Sequence, residues 1–161
     1  MQRRDVVASD APGRPVVCDT SPLINLAAVG LLDLLSALYG VIWVPEAVNR
    51  EYMAGTRTGE PILEELSWVR IVRSVALHPE LPSSLGAGEA EAISLAIAEN
   101  ARAIILDEQL ARLLAALFHR GMVACLRHPA TIKVRQPDKC HPIMRVSIRQ
   151  GKQIRFAVLT P

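Results

Sequence analysis

A short apolar run that ends at an aspartate occurs twice in this chain, and a helix-like segment follows each time. The runs are VVCD, ending at Asp19, and AIILD, ending at Asp107. β-Branched residues are frequent in both, which favours buried strands. Because parallel strands need long crossover connections, strands that alternate with helices predict an α/β fold with a mostly parallel central sheet.

The segments between and after these runs continue the alternation. Ser21 followed by Pro22 is typical of a helix start and predicts a helix that ends at Gly30. HPELPSSLGAGE, rich in proline and glycine, is predicted as a loop. The pattern predicts further strands at 41–44, 68–73 and 122–126, and further helices at 31–40, 45–55, 89–100 and 108–121.

Composition narrows the class of protein. Half of the 161 residues are hydrophobic and very few are aromatic, which suits helices packed on a buried sheet. No apolar stretch reaches about 18 residues, and charges occupy the N-terminus where a signal peptide would be apolar, so a cytoplasmic protein without membrane contact is expected. The three cysteines lack Cys-x-x-Cys spacing and predict neither a disulfide framework nor a thiolate zinc site.

Charge divides the chain unevenly. Residues 1–125 carry 10 Lys and Arg against 15 Asp and Glu, a net charge of −5, whereas residues 126–161 carry 8 against 1, a net charge of +7. We therefore expect an N-terminal extension at 1–14, one domain at 15–125 and a basic tail at 126–161. The tail alternates around Gln150-Gly151 like a β-hairpin. Contact with nucleic acid, docking on the acidic body and simple solvation are all open for it.

Several carboxylates lie at predicted strand ends or in first helical turns. Taken singly, each has a structural explanation: a helix cap, a solvated helix residue, or an acid that favours the helix dipole. For Asp19 the cap is the weaker explanation, because Thr20 and Ser21 already supply cap oxygens. The carboxylates are Asp19, Glu51, Glu89, Glu91, Asp107 and Glu108.

Together these acids predict a cation. Like charges gathered in one site repel and raise each other's pKa unless a cation lies between them. Carboxylates without histidine or cysteine favour Mg²⁺, or Mn²⁺, over zinc. Such a cation activates water and stabilises the charge that develops on phosphate, so hydrolysis of a phosphodiester is the chemistry that this pattern favours.

The order of four blocks resembles the PIN-domain superfamily, closest to a branch of bacterial and archaeal toxin-type ribonucleases akin to VapC. The blocks are VVCDTSPLINLAAVGLLDLL, VPEAVNREY, GAGEAEAISLAIAENA and AIILDEQLARLLA. The resemblance implies a three-layer α/β/α fold over 15–125 and a Mg²⁺-dependent ribonuclease site. By position it assigns the four acids that would bind metal and cleave RNA, Asp19, Glu51, Glu91 and Asp107. As supporting residues, Thr20 or Ser21 would orient a ligand or phosphate oxygen, and the resemblance leaves open the role of the adjacent acids Glu89 and Glu108.

The resemblance also implies partners and one departure. An RNA substrate, an antitoxin protein that blocks the acidic groove and a homodimer are expected. After residue 125, however, the branch continues with a glycine-rich turn and helix, whereas this chain runs CLRHPATIKVRQPDKC. The tail is therefore either an elaboration or the product of a shifted frame. A catalytically silent PIN-like module that binds protein or nucleic acid is the alternative function.

Overall fold

The computed structural model describes residues 13–56, 58–107 and 109–110, together with the backbone of two strands at 143–147 and 153–159. Six strands form one sheet: β1 Val16–Cys18, β2 Ile42–Pro45, β3 Val69–Val72, β4 Ala103–Leu106, β5 Ile143–Ser147 and β6 Gln153–Leu159. The helices are α1 Thr20–Ala27, α2 Leu34–Tyr39, α3 Glu46–Gly55 and α4 Ala87–Ala98, with a 3₁₀ turn at Leu63–Glu65.

The sheet has the order β3-β2-β1-β4-β6-β5, and its first four strands are parallel. From β1 the chain passes to β2 and β3 on one side, then returns to place β4 on the other side of β1. The strand order thus reverses between β1 and β4, and ligands in open α/β sheets bind beyond the carboxyl ends of the strands at such a reversal. Asp19 and Asp107 each follow one of these two strands directly.

The last two strands confirm the predicted hairpin pattern. Strands β5 and β6 pair antiparallel, with Ser147 opposite Gln153, while the predicted Gln150-Gly151 turn lies outside the described residues. Strand β6 also pairs antiparallel with β4, so it extends the parallel sheet at the edge beside β4. The sheet is therefore mostly parallel, as the alternation of elements predicts, and the helices complete a three-layer α/β/α architecture.

The core lies where β1 meets the helices. All three residues of β1 are buried, because this strand has a neighbour on each side and apolar helix faces over it. Leu23 and Leu26 of α1 and Tyr52 of α3 are completely buried in the same cluster. The Tyr52 hydroxyl donates a hydrogen bond to the carbonyl of Pro61 at 2.9 Å, so even this polar atom is satisfied.

The element boundaries differ from the sequence prediction at three helix starts, and one of them is α2, which begins at Leu34 and not at residue 31. Helix α1 begins at Thr20, with Asp19 in the N-cap position, so the prediction of Ser21 as cap is wrong. Helix α4 begins at Ala87 and not at Glu89, with Gly86 as N-cap. The predicted helix over 108–121 lies outside the described residues except for 109–110, which are helical, and the predicted strand at 122–126 lies wholly outside them.

Within the described part of the chain, no helix has the length and hydropathy needed to cross a bilayer.

The core predicts a clear contrast between two leucines. Leu23 is completely buried, whereas Leu77 is 60% exposed. We expect Leu23→Ala to lower the free energy of unfolding by about 2–5 kcal/mol, because it removes buried methyl groups and leaves a cavity. Leu77→Ala should change it by no more than about 0.5 kcal/mol. Urea denaturation measures both, and equal effects would contradict the assignment of α1 to the core.

Candidate functional site

Asp19 is the centre of the candidate site. Its backbone N–H donates to the carbonyl of Ile105 on β4 at 2.9 Å, which continues the β1–β4 pairing and fixes Asp19 at the end of the sheet. The side chain is 1% exposed, and its Oδ1 atom has no hydrogen-bond partner in the described structure. Although Asp19 occupies the N-cap position of α1, its side chain makes no capping bond. A buried carboxylate oxygen without a partner is costly, so this one calls for an explanation.

Glu51 is held by two neighbouring elements. Its Oε2 atom accepts a hydrogen bond from the Thr20 hydroxyl at 2.8 Å, and its Oε1 atom accepts one from the backbone N–H of Gly88 at 2.8 Å. Thr20 begins α1, Glu51 lies on α3 and Gly88 lies in the first turn of α4. These two bonds therefore fix the Glu51 carboxylate where three helices meet.

The two glutamates of α4 have different partners. Glu89 accepts a hydrogen bond from the backbone N–H of Gly86 at 3.0 Å, which is the reverse half of a capping box. Glu91 accepts one from the backbone N–H of Ala47 at 2.9 Å and so caps the N-terminus of α3. Residues two apart on a helix point to different sides of it, which is why these neighbours serve different helices.

Asp107 and the polar neighbours complete the predicted set. Oδ1 of Asp107 accepts a hydrogen bond from the backbone N–H of Leu110 at 2.8 Å, so this carboxylate caps the helix that follows β4. Ser21 is the second residue of α1 and is partly exposed. Glu108 lies outside the described residues.

Electrostatics connects Asp19 with three of these acids. Burial raises the pKa of Asp19 to about 7, from an ordinary value of 3.8, and the backbone N–H of Thr20 partly opposes the shift. The negative charges of Glu89, Glu51 and Asp107 contribute a smaller part of the same rise in pKa. Asp19 therefore shares an electric field with acids from α3, α4 and the end of β4, and a cation would relieve their repulsion.

The chemistry of these donors fits a hard divalent cation, since all are carboxylate oxygens and the buried Oδ1 of Asp19 lacks a partner. The carboxylates do not converge on one point: among the described residues, no group of three or more His, Cys, Asp or Glu side chains stands in position to hold a metal ion. Hydrogen bonds to backbone or hydroxyl donors occupy the other carboxylates instead. Each of these carboxylates has about four lone-pair sites and uses one or two of them, so a cation could bind without breaking the present hydrogen bonds once the acids draw closer together.

Sequence reasoning missed Gly88, which contacts the site through its backbone. The one available signal was its position, because a glycine inside a helix is unfavourable relative to alanine and therefore indicates a local steric reason. Thr20 was predicted to orient a ligand or phosphate oxygen, and in this structure its hydroxyl binds Glu51.

The fold and this site define an α/β protein with an acidic centre at the strand-order reversal of its sheet. A family model, DUF3368, described as a PIN domain, matches residues 15–126, which is more than two thirds of the chain. The protein therefore belongs to the PIN-domain superfamily, as the four blocks of sequence predicted. PIN domains are generally nucleases and typically use divalent metals. The chain matches no curated protein and no solved structure.

The buried carboxylate predicts a specific pH dependence of stability. A pKa raised from 3.8 to about 7 corresponds to about 4 kcal/mol at most. Because folding raises this pKa, the contribution of Asp19 is fully present below pH 4 and is lost as the pH rises through 7. With a chelator present, the free energy of unfolding of the native chain should therefore fall relative to Asp19→Asn between pH 4 and 8.

Urea denaturation of both proteins across this range measures that difference directly. Taking the difference removes the contributions of groups that titrate alike in both proteins. If the two curves stayed parallel, the carboxylate would have an ordinary pKa and would be solvated.

Proposed function

We propose that this protein is a Mg²⁺-dependent endoribonuclease. The observation that carries the proposal is the buried Oδ1 of Asp19, which lacks a partner and lies at the strand-order reversal among other acids. Membership of a superfamily of nucleases supports the reaction class, hydrolysis of a phosphodiester. The sequence resemblance supports RNA as the substrate.

The residues that would hold the cation come from four parts of the fold. Asp19 follows β1, Asp107 follows β4, Glu51 lies on α3, and the fourth acid comes from the first turns of α4. A divalent cation bound here supplies Lewis acidity, which makes water more acidic and stabilises negative charge on phosphate. Mn²⁺, which accepts the same oxygen donors, should substitute for Mg²⁺.

The chain's own groups prepare this site. Thr20 and Gly88 orient Glu51 through both of its carboxylate oxygens. Asp19 must give up its proton before it can serve as an anionic ligand, and a pKa of about 7 means that it does so near neutral pH. The apolar core beneath Asp19 excludes water from one side, so charges above it interact more strongly than in solvent.

For the fourth acid we assign the larger role to Glu89. Both carboxylates accept a backbone hydrogen bond, Glu89 from Gly86 and Glu91 from Ala47, but of the two it is the charge of Glu89 that raises the pKa of Asp19. Glu91, the acid to which the resemblance points, would then contribute through the placement of α3, which carries Glu51. The same experiment tests the assignments of Glu89 and Glu91.

A second candidate function is a catalytically silent PIN-like module that binds nucleic acid or protein. It is favoured by the arrangement of the described carboxylates, none of which forms a group in position to hold a metal. From the resemblance we also propose a cytoplasmic location, a homodimer and inhibition by an antitoxin. A homodimer would carry two acidic sites and two basic tails, which would suit such complexes.

Calorimetric titration with Mn²⁺ and cleavage of a labelled RNA separate the two functions. The ribonuclease should bind Mn²⁺ and cleave RNA only when the metal is present, and Asp19→Asn should lower cleavage by at least about a hundredfold while leaving the protein folded. A folded wild-type protein that binds no metal at millimolar concentration would favour the silent module. Undiminished, metal-dependent cleavage by Asp19→Asn would show that the site lies elsewhere.

The two glutamates of α4 make a matched pair. We expect Glu89→Gln to lower Mn²⁺ affinity and cleavage by about 10- to 100-fold, the usual effect of losing a group that acts on a metal site. Glu91→Gln keeps an oxygen that can accept from Ala47, so it should lower cleavage less than Glu89→Gln does. The reverse order of effects would assign the fourth ligand to Glu91.

A further inference from the structure

Gly88 occupies a position where its conformation alone does not require glycine. It is a buried residue in the first turn of α4, and its φ does not lie in the left-handed region. Alanine is a better helix former than glycine because it loses less backbone entropy. The reason for glycine at this position must therefore be steric.

The steric reason is Glu51. A Cβ added to Gly88 would lie 2.8 Å from Cδ of Glu51 and 3.0 Å from its Oε1, and it would approach Oε2 more closely still. All three atoms belong to the carboxylate. The missing side chain thus leaves the space in which the carboxylate lies.

The same glycine also donates to that carboxylate. Its backbone N–H bonds Oε1 of Glu51 at 2.8 Å, while the Thr20 hydroxyl bonds Oε2 at 2.8 Å. We call Thr20, Glu51 and Gly88 the glutamate clamp. Because the clamp uses both oxygens from two directions, the carboxylate cannot move away from Gly88 and keep both bonds in their present geometry.

We propose that Gly88 is a positioning residue for Glu51: it lets the carboxylate lie directly against the first turn of α4 and fixes its orientation towards Asp19. This inference rests on the proposed function, in which Glu51 is a metal ligand. In metal sites, hydrogen bonds from residues that do not touch the metal orient the ligands. The backbone of α4 would do this for Glu51.

We expect Gly88→Ala to affect activity and stability differently. The atoms that an added methyl would meet are the far end of a flexible side chain, so Glu51 can turn aside without disturbing the backbone. Alanine meanwhile favours the helix. Gly88→Ala should therefore have a thermal midpoint equal to or above that of the native chain, and at the same time a displaced carboxylate.

The experiment compares Gly88→Ala with Gly55→Ala in the full chain. A Cβ at Gly55 would meet the end of another flexible side chain, Cδ1 of Ile24 at 2.7 Å, and Gly55 lies one helical turn beyond Glu51 on α3, where the added Cβ would touch no side-chain atom of the clamp. We expect Gly88→Ala to lower Mn²⁺ affinity, measured by calorimetry, and kcat for RNA cleavage by about 10- to 100-fold. Gly55→Ala should leave both within about twofold of the native values, because the added Cβ would meet Ile24 and leave both hydrogen bonds of Glu51 in place.

A double-mutant cycle with Glu51→Asp tests the mechanism. Aspartate is one methylene shorter, so its carboxylate does not reach the space beside Gly88. In that background Gly88→Ala should lower Mn²⁺ affinity and kcat by less than about threefold, so the effects of the two substitutions should be strongly non-additive. If Gly88→Ala caused a general defect of α4, it would lower Mn²⁺ affinity and kcat equally in both backgrounds.

The outcomes distinguish this inference from the proposed function. If the native chain neither binds Mn²⁺ nor cleaves RNA, the proposed function fails and this inference fails with it. If the native chain does both and Gly88→Ala equals it, only the role of Gly88 is overturned. A Gly88→Ala protein that is unfolded at the assay temperature, or an equal loss in the Glu51→Asp background, would likewise overturn that role.

Discussion

The pairing of β1 with strands on both of its sides is the constraint on which the rest of this structure depends. Strand β1 is only three residues long and completely buried, and β2 and β4 hold it in parallel register. This central position brings the end of β1 beside the end of β4, so that Asp19 and Asp107 meet at the same edge of the sheet. It also places Asp19 over the core, where no solvent reaches its carboxylate. The central position of β1 therefore determines both where the site lies and why the pKa of Asp19 is raised.

Helix N-termini supply most of the donors to the acids around Asp19. Glu91 accepts from the start of α3, Glu51 and Glu89 from the start of α4, and Asp107 from the helix after β4. The N–H groups of a first helical turn lack partners within their own helix and carry a partial positive charge. These N–H groups stabilise the carboxylates, which explains why several acids can lie close together here. Among the described residues, the buried Oδ1 of Asp19 receives no donor.

The fold could be predicted from the sequence because it depends on local signals. Apolar β-branched runs, proline at helix starts and glycine at helix ends predicted the order of strands and helices. The errors fell at helix boundaries, where Asp19 and not Ser21 proved to be the N-cap of α1. The site was predicted less completely, because spacing along the chain does not reveal which face of α4 meets Asp19. Glu89 and Glu91 looked equivalent as residues of a first turn, and their hydrogen bonds separate them.

The sequence by itself determined the class of protein: the alternation of elements requires an α/β sheet, and four blocks with an acid in each identify a PIN domain. Those inferences need only residue types and their order. The tertiary structure alone decided how the acids are held, because a hydrogen bond between Thr20 and Glu51 joins residues 31 positions apart and depends on how α1 packs beside α3. It alone showed what lies beside Gly88, since a carboxylate from another helix occupies the space where a side chain would begin.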